Sequence, residues 1–369
     1  MQFLSLNKWL TLFNLKIISY EQFIKLYKVK SSRIYKLENY IKKNNITKKN
    51  IKILYKVFIL NKETYLTNFF NTSLKITKNT NLNIIKNISL SNSKNKQYKN
   101  IIRNIYFKDI LLNTSTDIPN LPSYLTVLFD LFNKHIIDYK LLAPSSIDMI
   151  KNKQFSSILS GYYFRASIMN PALVFYISKK ILKGKKIFSP TLGWSSYMYG
   201  FLSNNNTTEY VGTDVISKVC KNTEKLGHLL FPNKEITIYC SPSENLLTNK
   251  KFMNKYKNYF DIIFFSPPYY KLEQYKGKLQ SINQYKTYED WLEKYWDKTI
   301  QLCKHILSKK GRLGYIISGY KKVIKLPKDM NKITKKYFKL YKSYTIGNTN
   351  INITKHRELK ETLYCFKHK

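Results

Sequence analysis

The stretch Asp261-Ile262-Ile263-Phe264-Phe265-Ser266-Pro267-Pro268-Tyr269-Tyr270 constrains the fold of this chain more than any other. An apolar run of strand length stops abruptly at a small polar residue, two prolines and an aromatic ring. Consecutive prolines fix their own backbone torsions and donate no N–H, so they form a stiff turn whose carbonyl oxygens stay free to accept hydrogen bonds. A turn of this kind at the carboxyl end of a buried strand stands where open α/β sheets bind ligands.

The sequence around that turn supplies a sheet for it. Short apolar runs read as strands at Ile187 to Ser189, Tyr210 to Asp214, Ile236 to Cys240, Asp261 to Phe265 and Arg312 to Ser318, with Tyr341 to Ile346 and Thr362 to Phe366 as a closing pair. Helical patterns separate them: Ala172 to Leu182, stopped by Lys183-Gly184-Lys185-Lys186; a helix beginning near Ser195; and Trp291 to Leu307, stopped by Lys309-Lys310-Gly311. Strands alternating with helices at this pace predict an α/β fold with a doubly wound, mostly parallel sheet of seven strands. In such a sheet the loop after the first strand and the acid ending the second converge on a nucleotide-like ligand. Gly193 lets the backbone approach it, and Asp214 is placed to accept from both ribose hydroxyls.

The first third of the chain differs in character. Residues 1 to 110 carry 22 Lys and Arg against 4 Asp and Glu. Apolar residues at three- and four-residue spacing around Tyr35 to Ile41 and Ile51 to Phe58 predict short amphipathic helices coated with lysine. The polar stretch Thr72 to Asn100 reads as a linker or long loop, and the change of composition near Ile110 sets the expected boundary between a basic helical region, 1–110, and a catalytic domain, 111–369. The whole chain of 369 residues has a formal net charge of +42. A field of that sign attracts polyanions, nucleic acid first and an anionic membrane surface second, although A/T-rich coding would raise Lys, Asn, Ile and Tyr together and account for the same excess. Cys220, Cys240, Cys303 and Cys365 show no paired-ligand spacing, so the expectation is no metal site and a reducing intracellular compartment. No apolar run is long enough to span a bilayer, and the amino-terminal residues lack the order of a secretory signal.

Taken together, Ser266-Pro267-Pro268-Tyr269, the loop Ser189-Pro190-Thr191-Leu192-Gly193-Trp194-Ser195-Ser196 and Asp214 resemble the class I S-adenosylmethionine-dependent methyltransferases that act on adenine N6 or cytosine N4. The family's tetrapeptide is Asp, Asn or Ser followed by Pro-Pro-Tyr. The loop is similar to a phage and large-virus variant in which Asp-Pro is followed by Gly-Trp-Gly, and Phe164 to Pro171 resembles the family's upstream cofactor element. The resemblance covers about residues 150 to 369. It implies a Rossmann-like sheet, S-adenosylmethionine as cofactor, and DNA as partner, with Ser266, Pro267, Pro268 and Tyr269 catalytic. It further implies cofactor contacts from Ser189, Pro190, Gly193, Trp194, Asp214, Glu244, Arg165 and Asn170. Two departures stand out: Ser189 replaces the family's first-strand acid, and Ser195 and Ser196 replace glycines.

In that reading the Ser266 side chain and the Pro267 carbonyl accept the two N–H bonds of a base amine and free its lone pair. Tyr269 stacks on a flipped-out base, with Trp194 or Tyr270 adding aromatic wall. A serine in the first position leans toward cytosine N4. Two other readings stay open. One is an RNA base methyltransferase, which shares the chemistry. The other is a nucleic-acid-binding protein on an impaired methyltransferase fold, prompted by Ser189 and the charge.

Overall fold

The computed structural model describes residues 2–275, 277–319, 325–347 and 361–369. The chain divides into two compact units, one of Ile76–Ile102 with Ser167–Lys369 and one of Gln2–Lys75 with Arg103–Ala166.

The first unit is built on a seven-stranded sheet: β1 (Lys186–Ser189), β2 (Glu209–Asp214), β3 (Glu235–Cys240), β4 (Phe260–Phe265), β5 (Leu307–Ile317), β6 (Phe338–Thr345) and β7 (Thr362–His368). Their order across the sheet is β3-β2-β1-β4-β5-β7-β6. Neighbours from β3 to β5 pair in parallel, and β7 runs antiparallel to both β5 and β6. This is the doubly wound, mostly parallel, Rossmann-like sheet of seven strands that the sequence predicts. Central strands β1, β2 and β4 are buried almost throughout, and the apolar run of β4 is the longest of the three. The edge strands β3 and β6 are the partly exposed ones, and β6 carries Lys339 and Lys342 along its length, a feature that discourages pairing with another chain. Asp261, at the start of β4, accepts the N–H groups of Lys185 and Lys186 at 2.8 and 3.1 Å and so fixes where β1 enters the sheet.

Helix α1 (Pro171–Tyr176) continues as a π-helical turn over Ile177–Leu182 and ends at Lys183, whose φ is +50°. It packs on α2 (Ser196–Leu202), which follows β1. The contact is close because Gly200 has no side chain: a Cβ there would lie 2.7 Å from both the Pro171 carbonyl oxygen and a Val174 methyl. Helix α3 (Ser217–Leu230) covers β2 and β3, and α4 (Lys298–Ile306) leads into β5.

Two sequence expectations change. Lys309-Lys310-Gly311 does not separate a helix from a strand but lies within β5. The register against β4 jumps from Phe260 opposite Leu307 to Ile262 opposite Arg312, so these turn-forming residues loop out as a bulge. The boundary near 110 is also displaced. Segment 76–102 is no linker, because polar side chains tie it into the sheet unit: Tyr199 donates to the Thr80 carbonyl at 2.6 Å, Asn83 to the Ser203 carbonyl at 2.6 Å, and the Asn170 N–H to Asn92 at 2.7 Å. Residues 111 to 166 belong to the other unit.

That other unit is mainly helical, with a small three-stranded sheet of Lys28–Lys30, Ile34–Lys36 and Ile136–Asp138. Tyr35 therefore sits in a strand, and the helix expected across it begins at Leu37. The core gathers around Trp9, which is fully buried, donates its indole N–H to the Leu66 carbonyl at 3.0 Å and packs edge-on to Phe13. Among the described residues no helix is long and apolar enough to cross a membrane.

Gly200→Ala is expected to lower stability by about 1–3 kcal/mol through overpacking of α1 against α2, since one neighbour is backbone and cannot rotate away. Chemical denaturation of the full chain measures the loss, which should appear as a lower midpoint at unchanged slope.

Candidate active site

The loop after β1 is held in an unusual conformation. Gly193, Trp194 and Ser195 are three consecutive left-handed residues, with φ of +51°, +56° and +68°. Only the first is glycine, so the other two carry a penalty of roughly 1–2 kcal/mol each that surrounding bonds must offset. The Ser195 and Thr223 hydroxyls meet at 2.7 Å, the Ser196 N–H reaches the Gly193 carbonyl at 3.0 Å, and the Leu192 N–H donates to Asp214 Oδ2 at 3.2 Å. A side chain at Gly193 would collide with the Tyr197 ring beneath it. Ser195 takes a left-handed backbone form that glycine adopts without strain, and Thr223 anchors it there.

Asp214 ends β2 and accepts a second bond from the Ile216 N–H at 3.0 Å on Oδ1. Burial raises its pKa above the ordinary aspartate value, outweighing the backbone N–H groups that favour the charge. Glu244 follows β3 and is 7% exposed, so it is no solvated loop residue. Tyr285 donates to its Oε1 at 3.2 Å and Ser243 to its Oε2 at 3.4 Å, and burial raises its pKa as well.

The Ser-Pro-Pro-Tyr turn leaves β4 beside this loop. The Ser266 N–H donates to the Tyr197 hydroxyl oxygen at 3.1 Å, and its carbonyl accepts from Thr191 at 3.4 Å. The Ser266 hydroxyl donates to the Ile316 carbonyl of β5 at 3.0 Å. With its single proton directed there, the oxygen keeps its lone pairs for an incoming donor. Among the described residues nothing donates to the Pro267 carbonyl. Tyr269 is 9% exposed. Tyr270, with φ of +51°, packs edge-on to Tyr288 and Trp291 and so builds the wall behind the turn.

Ser189, Pro190, Gly193, Trp194, Asp214, Glu244 and the Ser266–Tyr269 turn thus all lie along the carboxyl edge of one sheet. Three of the expected cofactor contacts fare differently. Ser189 is fully buried, and its uncharged hydroxyl acts on that of Tyr210, so that position carries no charge. Asn170 caps α1 by accepting the Ala172 N–H at 3.0 Å and donates to the Lys94 carbonyl at 2.6 Å, which commits both ends of its amide to structure. Arg165 lies in the other unit, where its charge acts on Arg103 and Tyr124.

Sequence reading passed over Tyr197, Glu273 and Tyr275. Tyr275 donates to Glu273 Oε2 and sets its ring 5.7 Å from that of Trp194, edge-on, while Glu273 Oε1 accepts the Ser167 N–H at 2.9 Å. Only the dense tyrosine content of the loop after the turn hinted at them. The acceptor set fits an adenosine: Asp214 offers oxygens for a vicinal diol, Glu244 an oxygen for an aromatic amine, and Trp194 an apolar face.

No protein-family model and no curated protein sequence matches the chain. Solved structures resemble it in fold. TrmN from Thermus thermophilus is 11% identical over 55% of this chain and 49% of its own, with a TM-score of 0.38. A TehB-like SAM-dependent methyltransferase from Corynebacterium glutamicum is 13% identical over 59% and 96%, with a TM-score of 0.33. Spermidine synthase from Thermotoga maritima is 15% identical over 50% and 53%, again at 0.33. The match thus spans about half the length of TrmN.

Because the pKa of Glu244 is raised on folding, its contribution to stability is complete below the unfolded-state value and is lost as pH rises through the folded one. Glu244→Gln keeps an acceptor for Tyr285 and removes that loss. The variant should therefore match the unaltered protein in acid and exceed it in melting temperature at neutral pH, as thermal unfolding across a pH series will show.

Proposed function

We propose that this chain is an S-adenosylmethionine-dependent methyltransferase acting on an exocyclic amine of a nucleic-acid base, with cytosine N4 or adenine N6 of DNA as the target. The observation that carries the reading is the Ser266 hydroxyl. Its proton is directed into β5 and its lone pairs are left to accept, at the end of a strand whose neighbouring loop carries the acceptors for an adenosine.

An exocyclic amine is a weak nucleophile because its lone pair is delocalised into the ring. Ser266 Oγ and the Pro267 carbonyl accept its two N–H bonds, draw the nitrogen toward a tetrahedral shape and return the lone pair to it. Pro267 and Pro268 keep those acceptors from moving, so the cost of alignment is met during folding. Tyr269 presents its ring to the base, which must leave a duplex to reach this depth. Asp214 takes the ribose hydroxyls and Glu244 the adenine amine of the bound cofactor, with Trp194 against its apolar face. S-adenosylmethionine, when bound, supplies a methyl group on a sulfonium as the electrophile. The excess of Lys and Arg in residues 1 to 110 supports a polyanionic substrate held by its phosphates.

Methyl transfer from isotopically labelled S-adenosylmethionine to DNA and to RNA, followed by nucleoside analysis, tests the proposal. Label in N4-methylcytosine or N6-methyladenine from DNA is the expected result. Transfer to RNA alone would move the substrate, and no transfer to either by folded, cofactor-bound protein would reject the enzyme. Ser266→Ala removes one of the two acceptors and should lower kcat by roughly 10²-fold while cofactor affinity, read by calorimetry, stays unchanged.

A further inference from the structure

The cofactor proposed above ends in an amino-acid group, and its ammonium needs an anion in a protein with 64 Lys and Arg against 22 Asp and Glu. Ser189 cannot provide one, being uncharged, fully buried and turned toward Tyr210. Three described acids stand at or just beyond the carboxyl ends of β2, β3 and β4. Asp214 ends β2, Glu244 follows β3, and Glu273 lies in the loop after β4. Their order across the sheet is informative. Reading β3, β2, β1, β4, the edge offers an acceptor for the adenine amine, acceptors for the ribose, the left-handed loop, and then Glu273 beside the methyl-transfer turn. A ligand laid along that edge with its adenine at Glu244 brings its amino-acid end to Glu273.

Local geometry supports the placement. Glu273 Oε1 is fixed by the Ser167 N–H at 2.9 Å, and Oε2 by Tyr275, whose ring leans on Trp194 at 5.7 Å. The carboxylates of Glu273 and Asp214 both act on Tyr197, whose hydroxyl oxygen accepts the Ser266 N–H, and both act on Tyr275. Both acids therefore lie near the Tyr197 and Tyr275 rings, which belong to the loop after β1 and the loop after β4. We infer that Glu273 receives the ammonium of the cofactor's amino-acid end, taking over from the loop after β4 the duty that no acid at the end of β1 performs. This rests on the cofactor reading given under the proposed function.

Calorimetry on the full chain with two ligands tests it: S-adenosylhomocysteine, which carries the amino-acid end, and 5′-methylthioadenosine, which lacks it. Glu273→Gln keeps an oxygen to accept the Ser167 N–H and sets an amide N–H against the Tyr275 hydroxyl oxygen while removing the charge, and its thermal unfolding serves as the folding control. The expected result is a roughly 10- to 100-fold loss of affinity for S-adenosylhomocysteine, the value of one charge-assisted contact, with affinity for methylthioadenosine within about threefold of the unaltered protein. Asp214→Asn, by contrast, should weaken both ligands. Equal loss of both ligands in Glu273→Gln, or loss of neither, overturns the inference while leaving the cofactor reading standing. Failure of the unaltered, folded protein to bind either ligand overturns both.

Discussion

The phenol of Tyr197 sits where two loops must agree. Its ring occupies the space that a side chain at Gly193 would need, its edge packs on Phe264 of β4 at 5.4 Å, and its oxygen accepts the Ser266 N–H. The loop after β1 and the turn after β4 come from strands that are neighbours in space but separated in sequence by the 70 residues from Pro190 to Tyr259. One rigid aromatic side chain, with few torsions to freeze, holds both in register at low entropic cost. The left-handed run from Gly193 to Ser195 is tolerable because the surroundings over-determine it: Thr223 from one side, Asp214 from another, Tyr197 from below.

Asp214 and Glu244 show the other side of that construction. Both are carboxylates in surroundings that favour the neutral form, since burial is the leading cause of each raised pKa. Left alone, a buried acid that ionises at neutral pH is a drain on stability. A ligand that donates hydrogen bonds to it relieves the drain and binds more tightly for that reason. Acids held at such a cost at the edge of a sheet are characteristic of sites prepared for a partner rather than of scaffolding.

Most of the sheet was legible in the sequence because its strands obey one rule: where both faces are covered, the run is apolar from end to end, and Gly, Pro or Lys clusters mark where it stops. The start of β5 escaped because a bulge inside a strand is made of the same residues as a turn between elements. Segment 76–102 escaped for a different reason. It is joined to the sheet unit by the Asn83 and Tyr199 side chains reaching carbonyl groups and by the Asn92 side chain accepting the Asn170 N–H, and such bonds leave no periodicity to read. The positions of Asp214 and Ser266–Tyr269 were readable because strand ends fix them. Glu273 was not, because its place depends on how a loop folds back onto Ser167. Asn170 looked like a ligand by position and is a helix cap by bonding.

The chain passes between its two compact units three times, after Lys75, after Ile102 and after Ala166. Neither unit is therefore a continuous stretch of sequence, and the order of synthesis is not the order of assembly. Segment 76–102 leaves the ribosome before any strand of the sheet it joins exists, and must wait through the whole of residues 103–166 for its partners. Its composition suits that wait. With Asn, Ser or Lys at 15 of its 27 positions and its Ile and Leu scattered among them, it can stay largely hydrated until its partners arrive.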